Sequence, residues 1–244
     1  MNDGFKNEKE LENYISNNLY NQYNKNIKDF LSFIFKENLN PNLPFCAKKI
    51  SGQVKPDIYI CHNNIKKYVS IKKGSGNSVH QEKVEIFFPF FGSLLNKKYE
   101  EALKKFHYGD DTINDSGSIR FSATECKKRY KTDIDFLNKK LNEWCILKFF
   151  LDRFLFLGNI GNISVDFIYY GTIEKGYWAS KEEIICYIKN EFFSINGIHF
   201  GPLTYQVWGR NENKTAKYSD RRYIMQIKWG SLEKDLIKIR KKEV

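Results

Sequence analysis

Residues 55–85 constrain the chain most, because they place an acid and a lysine at matching ends of two short strands. An apolar strand begins at Asp57, a polar turn occupies residues 62–64, and a second strand ends at Lys72. The second strand of a hairpin runs back along the first, so these two side chains are predicted to lie together at one sheet edge. Pro56 suits the start of a strand, where its missing N–H removes no ladder bond.

A Gly/Ser/Asn break follows the second strand at residues 74–77. Its backbone N–H groups suit a bound phosphate, or the break is a plain turn that leads to a helix beginning at Asn77 or Ser78. Glu82 would then lie in the first turns of that helix. Residues near the break that are candidates for contact with a phosphate-bearing partner are Lys73, Ser75, Asn77 and His80; an exposed helix residue is the alternative for the histidine.

The strings Pro56-Asp57 and Ser70-Ile71-Lys72 resemble the active-site pattern of the PD-(D/E)xK nuclease superfamily. That pattern has an acid where this chain has Ser70. A subgroup of restriction endonucleases has the same Ser-x-Lys strand, with a displaced Glu on the following helix about a dozen residues beyond the Lys. Glu85 lies at that spacing, and Glu82 lies about one helical turn before it.

The resemblance implies an α/β fold with a restriction-endonuclease-like mixed central β-sheet flanked by helices. The residue pattern adds a C-terminal β-hairpin. The resemblance also implies that Mg²⁺ is held by Asp57, the carbonyl of Ile71 and either Glu85 or Glu82, with Lys72 as the cationic group and Ser70 beside it. Glu12, on a first helix, is a further candidate ligand or a solvated residue. Asp166, within a strand predicted at residues 163–170, is the main rival of Asp57.

The formal net charge of +11 favours a polyanionic partner. An alternative cause of this charge is the lysine enrichment of an AT-rich coding sequence. Residues 199–230 contain two alternating segments that predict a β-hairpin, with a polar, basic loop between them. Such a ribbon fits a DNA groove, where Arg bonds guanine or phosphate and Asn or Gln bonds adenine. A solvated hairpin tip is the alternative. The candidate DNA contacts are Arg210, Asn211, Asn213, Lys214, Lys217, Arg221 and Arg222.

Helical periodicity predicts helices over residues 8–37, 122–157, 181–190 and 231–243. No internal repeat or Pro/Ser-rich linker divides the sequence, so residues 1–244 are interpreted as one domain. The five cysteines form no CxxC pair, which favours a reducing, cytoplasmic setting over a zinc site or disulfides. The most apolar run, residues 145–157, is too short and too charged to span a bilayer.

We therefore expect a Mg²⁺-dependent, sequence-specific endonuclease of double-stranded DNA, similar to type II restriction enzymes. The resemblance further implies a homodimer and a cognate DNA methyltransferase in the host. A repair, recombination or RNA-processing nuclease is a second hypothesis on the same fold. A catalytically inactive DNA-binding protein is the third, because Ser70 replaces the expected acid.

Overall fold

The computed structural model describes residues 3–16, 18–74, 77–159, 161–210 and 216–241, without the side chains of residues 3 and 216–218. The chain is mixed α/β and divides into two compact units. The first unit comprises residues 1–77, 151–190 and 231–244, and the second comprises residues 78–150 and 191–230. The interpretation of residues 1–244 as one domain stays a prediction.

The described residues contain helices and strands of ordinary length. The helices are α1 (Asp3–Ile15), α2 (Lys25–Phe35), α3 (Val84–Leu95), α4 (Lys97–Tyr108), α5 (Ala123–Arg129), α6 (Lys131–Leu141), α7 (Trp144–Leu151), α8 (Lys181–Asn190) and α9 (Leu232–Lys241). The strands are β1 (Cys46–Lys49), β2 (Ile58–His62), β3 (Ile65–Lys72), β4 (Ser78–Lys83), β5 (Phe167–Gly171), β6 (Gly176–Ser180), β7 (His199–Phe200), β8 (Leu203–Val207) and β9 (Ile224–Lys228). In this part of the chain, no helix has the length and apolar character that crossing a membrane requires.

The first unit is built on a mixed five-stranded sheet in the order β1-β2-β3-β5-β6. All neighbours are antiparallel except β3 and β5, which are parallel. The predicted hairpin is confirmed as β2–β3, and its turn consists of Asn63 and Asn64, whose φ angles are 47° and 61°. Two consecutive positive φ values suit a two-residue hairpin turn, and asparagine tolerates them better than most residues. This turn pairs Ile58 with Val69 and so sets the register of the whole hairpin.

The core of the first unit lies between this sheet and α1 and α2. Leu11 on α1 and Ile27 and Leu31 on α2 are buried in one cluster with Ile60 of β2 and Val69 of β3. The apolar spacing that predicted helices over residues 8–37 is therefore confirmed, although a short 3₁₀ turn and extended residues separate the two helices. The helices predicted over residues 181–190 and 231–243 are confirmed as α8 and α9.

The second unit is built on a four-stranded antiparallel sheet in the order β4-β9-β8-β7. The hairpin predicted within residues 199–230 is confirmed by the pairing of β8 with β9. The helix start predicted at Asn77 or Ser78 is wrong, because β4 occupies residues 78–83 and α3 begins only at Val84. This polar segment is a strand because it pairs with β9, a partner that local propensity does not reveal.

The long helix predicted over residues 122–157 is three α-helices and a π-helical turn. Ser122 caps α5 through a capping box with Glu125, and α6 and α7 follow after short breaks. Residues 152–157 continue α7 as the π-helical turn. The predicted apolar stripe is buried at Leu137, Leu141 and Phe150.

A buried arginine caps the C-terminal end of α4. The guanidinium of Arg210 donates to the carbonyls of Phe106 and His107, and Gly109 ends the helix in the left-handed conformation with φ 62°. A side chain on Gly109 would collide with Arg210. The last carbonyls of a helix carry partial negative charge, so they stabilise a buried cation at this position.

His107 is buried against the same arginine. Its Nε2 lies 2.7 Å from the Arg222 carbonyl, which only accepts, so Nε2 carries the proton and Nδ1 accepts from the Tyr205 hydroxyl at 2.6 Å. Burial lowers the pKa of His107 to about 3; the Arg222 carbonyl opposes the shift, and the charges of Arg210 and Arg120 add to it.

This low pKa predicts acid sensitivity of folding. The unfolded chain binds a proton at His107 below about pH 6.5, whereas the folded chain does not until about pH 3, so stability falls as pH falls through this window. Between about pH 7 and about pH 5, the wild type should lose about 2 kcal/mol more unfolding free energy than His107→Gln, measured by urea denaturation. Equal losses in the two proteins would contradict a neutral buried ring.

Candidate active site at the hairpin edge

The predicted meeting of an acid and a lysine is present at the edge of the β2–β3 hairpin. Asp57 directly precedes β2, and its N–H donates to the Val69 carbonyl at 2.9 Å. One oxygen of its carboxylate, Oδ2, accepts three hydrogen bonds from consecutive residues of β3. The donors are the Ser70 hydroxyl at 3.0 Å, the Ile71 N–H at 2.6 Å and the Lys72 ammonium at 3.0 Å. The side chain of Asp57 is thereby fixed at one end of the sheet.

Lys72 bonds a second oxygen of the same site. Its Nζ donates to the Ile71 carbonyl at 3.0 Å as well as to Asp57. The Asp57 and Lys72 side chains are 23% and 19% exposed, so the pair borders solvent without being free in it. A charge pair that is both hydrogen-bonded and partly shielded is less screened than an exposed one.

The donor set at this edge fits a hard divalent cation. A carboxylate oxygen of Asp57 and the carbonyl oxygen of Ile71 both face one positively charged nitrogen. Oxygen ligands of these two kinds are those that Mg²⁺ prefers. The second carboxylate oxygen of Asp57, Oδ1, accepts no hydrogen bond from the residues that the structure describes.

A larger cluster is absent from the described ranges, which hold no group of three or more His, Cys, Asp or Glu side chains placed to bind a metal ion. Mg²⁺ binds through one or two carboxylates together with water and substrate phosphates. Asp57 and the Ile71 carbonyl would therefore be part of such a ligand set.

Lys55 is a second lysine whose charge interacts with those of the site, and sequence reasoning missed it. Desolvation lowers the pKa of its ammonium to about 7; the like charge of Lys72 adds to the decrease and the Asp57 carboxylate opposes it. Lys55, Lys72 and Asp57 thus form one electrostatic group. The available signal was the position of Lys55 two residues before the acid, at the start of the same segment.

Ser70 is buried and acts on Asp57. It is 1% exposed, and its hydroxyl donates to Oδ2 of Asp57. A hydroxyl supplies a donor to the carboxylate, whereas an acid at the same position would repel it. Ser70 is therefore a positioning residue for Asp57.

Asp166, the predicted rival ligand, has a structural role. It lies just before β5, which begins at Phe167 and not at residue 163 as predicted. Its Oδ2 accepts from the Tyr68 N–H at 2.8 Å, and its own N–H donates to the Tyr68 carbonyl at 2.9 Å. Asp166 thus extends the pairing of β3 with β5 by one residue.

The remaining acidic candidates have different surroundings. In the second unit, Glu82 is buried on β4, where its Oε2 lies 3.1 Å from Nε2 of His80, so the alternative of an exposed helix position for that histidine is wrong. Glu85 is exposed in the first turn of α3 and pairs with Lys83. In the first unit, Glu12 pairs with Lys9 on α1 at 3.0 Å.

Two arginines that were predicted to contact DNA bond to other groups of the second unit. Arg210 is 6% exposed and bonds the α4 carbonyls, which leaves its assignment as a DNA contact without support. Arg222 forms an ion pair with Asp115. Arg221 is partly exposed, and its guanidinium lies 4.7 Å from the centre of the Trp208 ring.

The other candidate contacts are only partly described. Lys73 is exposed after β3, whereas Asn77 is buried with φ 33°, and its Oδ1 accepts no hydrogen bond from described residues. Outside the described residues lie Ser75, Asn211, Asn213, Lys214 and the side chain of Lys217.

The contacts of Asp166 predict a stability phenotype. Asp166→Ala should lower the unfolding free energy by about 1–3 kcal/mol, because the Tyr68 N–H loses a charged acceptor. Asp166→Asn keeps an oxygen that can accept this bond and should recover most of the loss in urea denaturation. Equal destabilisation by both variants would show that the hydrogen bond is not what Asp166 supplies.

Compared with known proteins, the chain matches no family model and no curated protein.

Proposed function

We propose that this chain is a Mg²⁺-dependent endonuclease that hydrolyses phosphodiester bonds of double-stranded DNA at specific sequences, as type II restriction enzymes do. The observation that carries the proposal is the convergence of Asp57 Oδ2, the Ile71 carbonyl and the Lys72 ammonium at one sheet edge. The strings of sequence on which the resemblance rests are thus placed together in space. The net charge of +11 supports a polyanionic substrate.

The proposed role of Lys72 follows from the charge of the reaction. Hydrolysis of a phosphodiester builds negative charge on the non-bridging oxygens, and a fixed cation stabilises that charge more in the transition state than in the ground state. Lys72 is held by two hydrogen bonds, to Asp57 and to Ile71, so little reorganisation is needed. Lys55 adds a second amine to the same electrostatic group.

Asp57 and the Ile71 carbonyl would hold the metal ion. Bound Mg²⁺ supplies a water of lowered pKa and positive charge for the phosphate oxygens. Ser70 and the Ile71 N–H fix the orientation of Asp57 by donating to Oδ2. The second carboxylate stays the assignment made from the sequence, Glu85 or Glu82, and Glu85→Gln and Glu82→Gln separate the two.

The primary test is digestion of a long DNA of mixed sequence by the purified protein, with Mg²⁺ and with EDTA. Discrete fragments that require Mg²⁺ are the expected result. A smear of fragments would replace sequence-specific cleavage with the repair- or recombination-type nuclease.

The variants of the hairpin edge sharpen this test. Asp57→Asn and Lys72→Met should each lower the cleavage rate by about 10²–10³-fold or more, because each removes a charge that acts on the transition state. DNA affinity, measured in EDTA, should remain near that of the wild type. The matched control for the lysine is Lys66→Met, at an exposed position near the other end of β3, and it should cleave normally. Cleavage at the wild-type rate by Asp57→Asn or Lys72→Met would refute the assignment.

A DNA-binding protein without catalytic activity is the second candidate. The observation that favours it is that Ser70 stands where the family pattern has an acid, and that its hydroxyl is already used by Asp57. Tight binding that does not require Mg²⁺, with DNA left intact under every divalent metal tried, would support this candidate over the nuclease.

A further inference from the structure

One face of the sheet in the second unit carries a row of three glutamines. Strand register pairs Gln81 of β4 with Gln226 of β9, and Gln226 with Gln206 of β8. Residues directly opposite each other in an antiparallel sheet point to the same side, with Cβ atoms about 4.5–5.5 Å apart. Three side-chain amides therefore lie next to one another across three strands.

The next row on this face is also polar. Ser78 of β4 and Thr204 of β8 both pair with Lys228 of β9. The alternate residues of β9, Met225 and Ile227, are fully buried and form the core side. On β8 and β9, one side is thus apolar and packs in the core, whereas the other side carries amides, hydroxyls and one ammonium.

The β8 and β9 residues of the polar side line a groove of about 490 Å³. Gln206, Gln226 and Lys228 line it from the sheet, and Lys127 and Arg221 line it from other segments of the second unit. No Asp or Glu is among the described residues that line the groove. The net charge of the groove lining is therefore positive, which favours a negatively charged partner over a basic one.

The Gln226 amide is held in place before any ligand binds, and the exposed Gln206 amide lies at the limit of hydrogen-bond distance from a hydroxyl. Gln226 is 7% exposed, and its Nε2 donates to the Ser78 hydroxyl at 3.1 Å. Nε2 of Gln206 lies 3.5 Å from the Thr204 hydroxyl. Fixed amides lose little entropy on binding and can discriminate between hydrogen-bonding patterns.

We propose that this glutamine face, defined by Gln81, Gln206 and Gln226, reads base edges of double-stranded DNA through its exposed residues Gln81 and Gln206, while Lys228, Arg221 and Lys127 bind the DNA phosphates. A glutamine amide presents one donor and one acceptor, which matches the N7 and N6 pattern of adenine in the major groove. Cations bind phosphates of any sequence. This inference rests on the proposed function for its partner, and it assigns sequence recognition to the sheet face instead of the tip of the β8–β9 hairpin.

Selection from a library of random-sequence DNA duplexes, in EDTA so that no strand is cut, tests the glutamine face. The wild type should enrich a sequence that contains A·T pairs. Gln206→Ala should lose about 5- to 150-fold discrimination at one of these pairs, and the dependence of its affinity on salt should be unchanged. A retained preference at every position would overturn the inference.

Lys228→Gln tests the phosphate contact separately. It should weaken binding to all duplexes alike and reduce the slope of log affinity against log salt by about 1. The control with the same loss of charge is Lys139→Gln, at an exposed position of α6, which should leave the slope nearer to that of the wild type. Thermal unfolding of each variant verifies that it is folded. Equal slopes for the two lysine variants would overturn the assignment of Lys228.

The same proteins distinguish this inference from the proposed function. Sequence-selective binding that depends on Gln206, without cleavage in Mg²⁺, would support the glutamine face and refute the nuclease. Cleavage at a sequence unaffected by Gln206→Ala would support the nuclease and overturn the glutamine face. Preference for RNA duplexes over DNA duplexes would also overturn it.

Discussion

The hydrogen bonds to the Asp57 carboxylate are the interactions on which the candidate site depends. Three donors from consecutive residues of β3 meet on one of its oxygens, and only one of the three, Lys72, carries a charge. This arrangement requires that Asp57 stands beside the end of β3, which the two-residue turn at Asn63 and Asn64 determines through the register. A slip of one residue would turn every side chain of β3 to the other side of the sheet. The chemistry of the site is thus specified by a turn at the far end of the hairpin.

Ser70 stands where the PD-(D/E)xK pattern has an acid, and this difference changes the charge around Asp57. An acid at position 70 would add a negative charge next to Asp57, and the two carboxylates would compete for the ammonium of Lys72. With Ser70, the carboxylate gains a donor and Lys72 bonds the Ile71 carbonyl as well. The site has less negative charge of its own, so the proposed Mg²⁺ would depend more on carboxylates from other segments and on a substrate phosphate.

The sequence predicted the features whose causes are local. The β2–β3 hairpin, α1 and α2 over residues 8–37, and the pairing of β8 with β9 each have a periodicity or a turn that identifies them. It did not predict β4, because Ser78–Lys83 is polar, contains helix-forming residues and becomes a strand only by pairing with β9. It also did not predict Lys55 as part of the site, since its desolvation depends on the folded surroundings.

The positive charge of the chain shows why residue type alone does not identify a nucleic-acid contact. Arg210 is used to close α4, and Arg222 is paired with Asp115, although both belong to the segment whose composition suggested DNA binding. A cation contributes to phosphate binding through the counterions that it displaces, so one already paired inside the fold contributes less. Sheet periodicity, by contrast, places Gln206 and Lys228 on the side of the sheet opposite to the buried Met225 and Ile227. The proposed recognition of DNA is therefore better assigned to side chains that make no contacts in the core than to side chains that are basic.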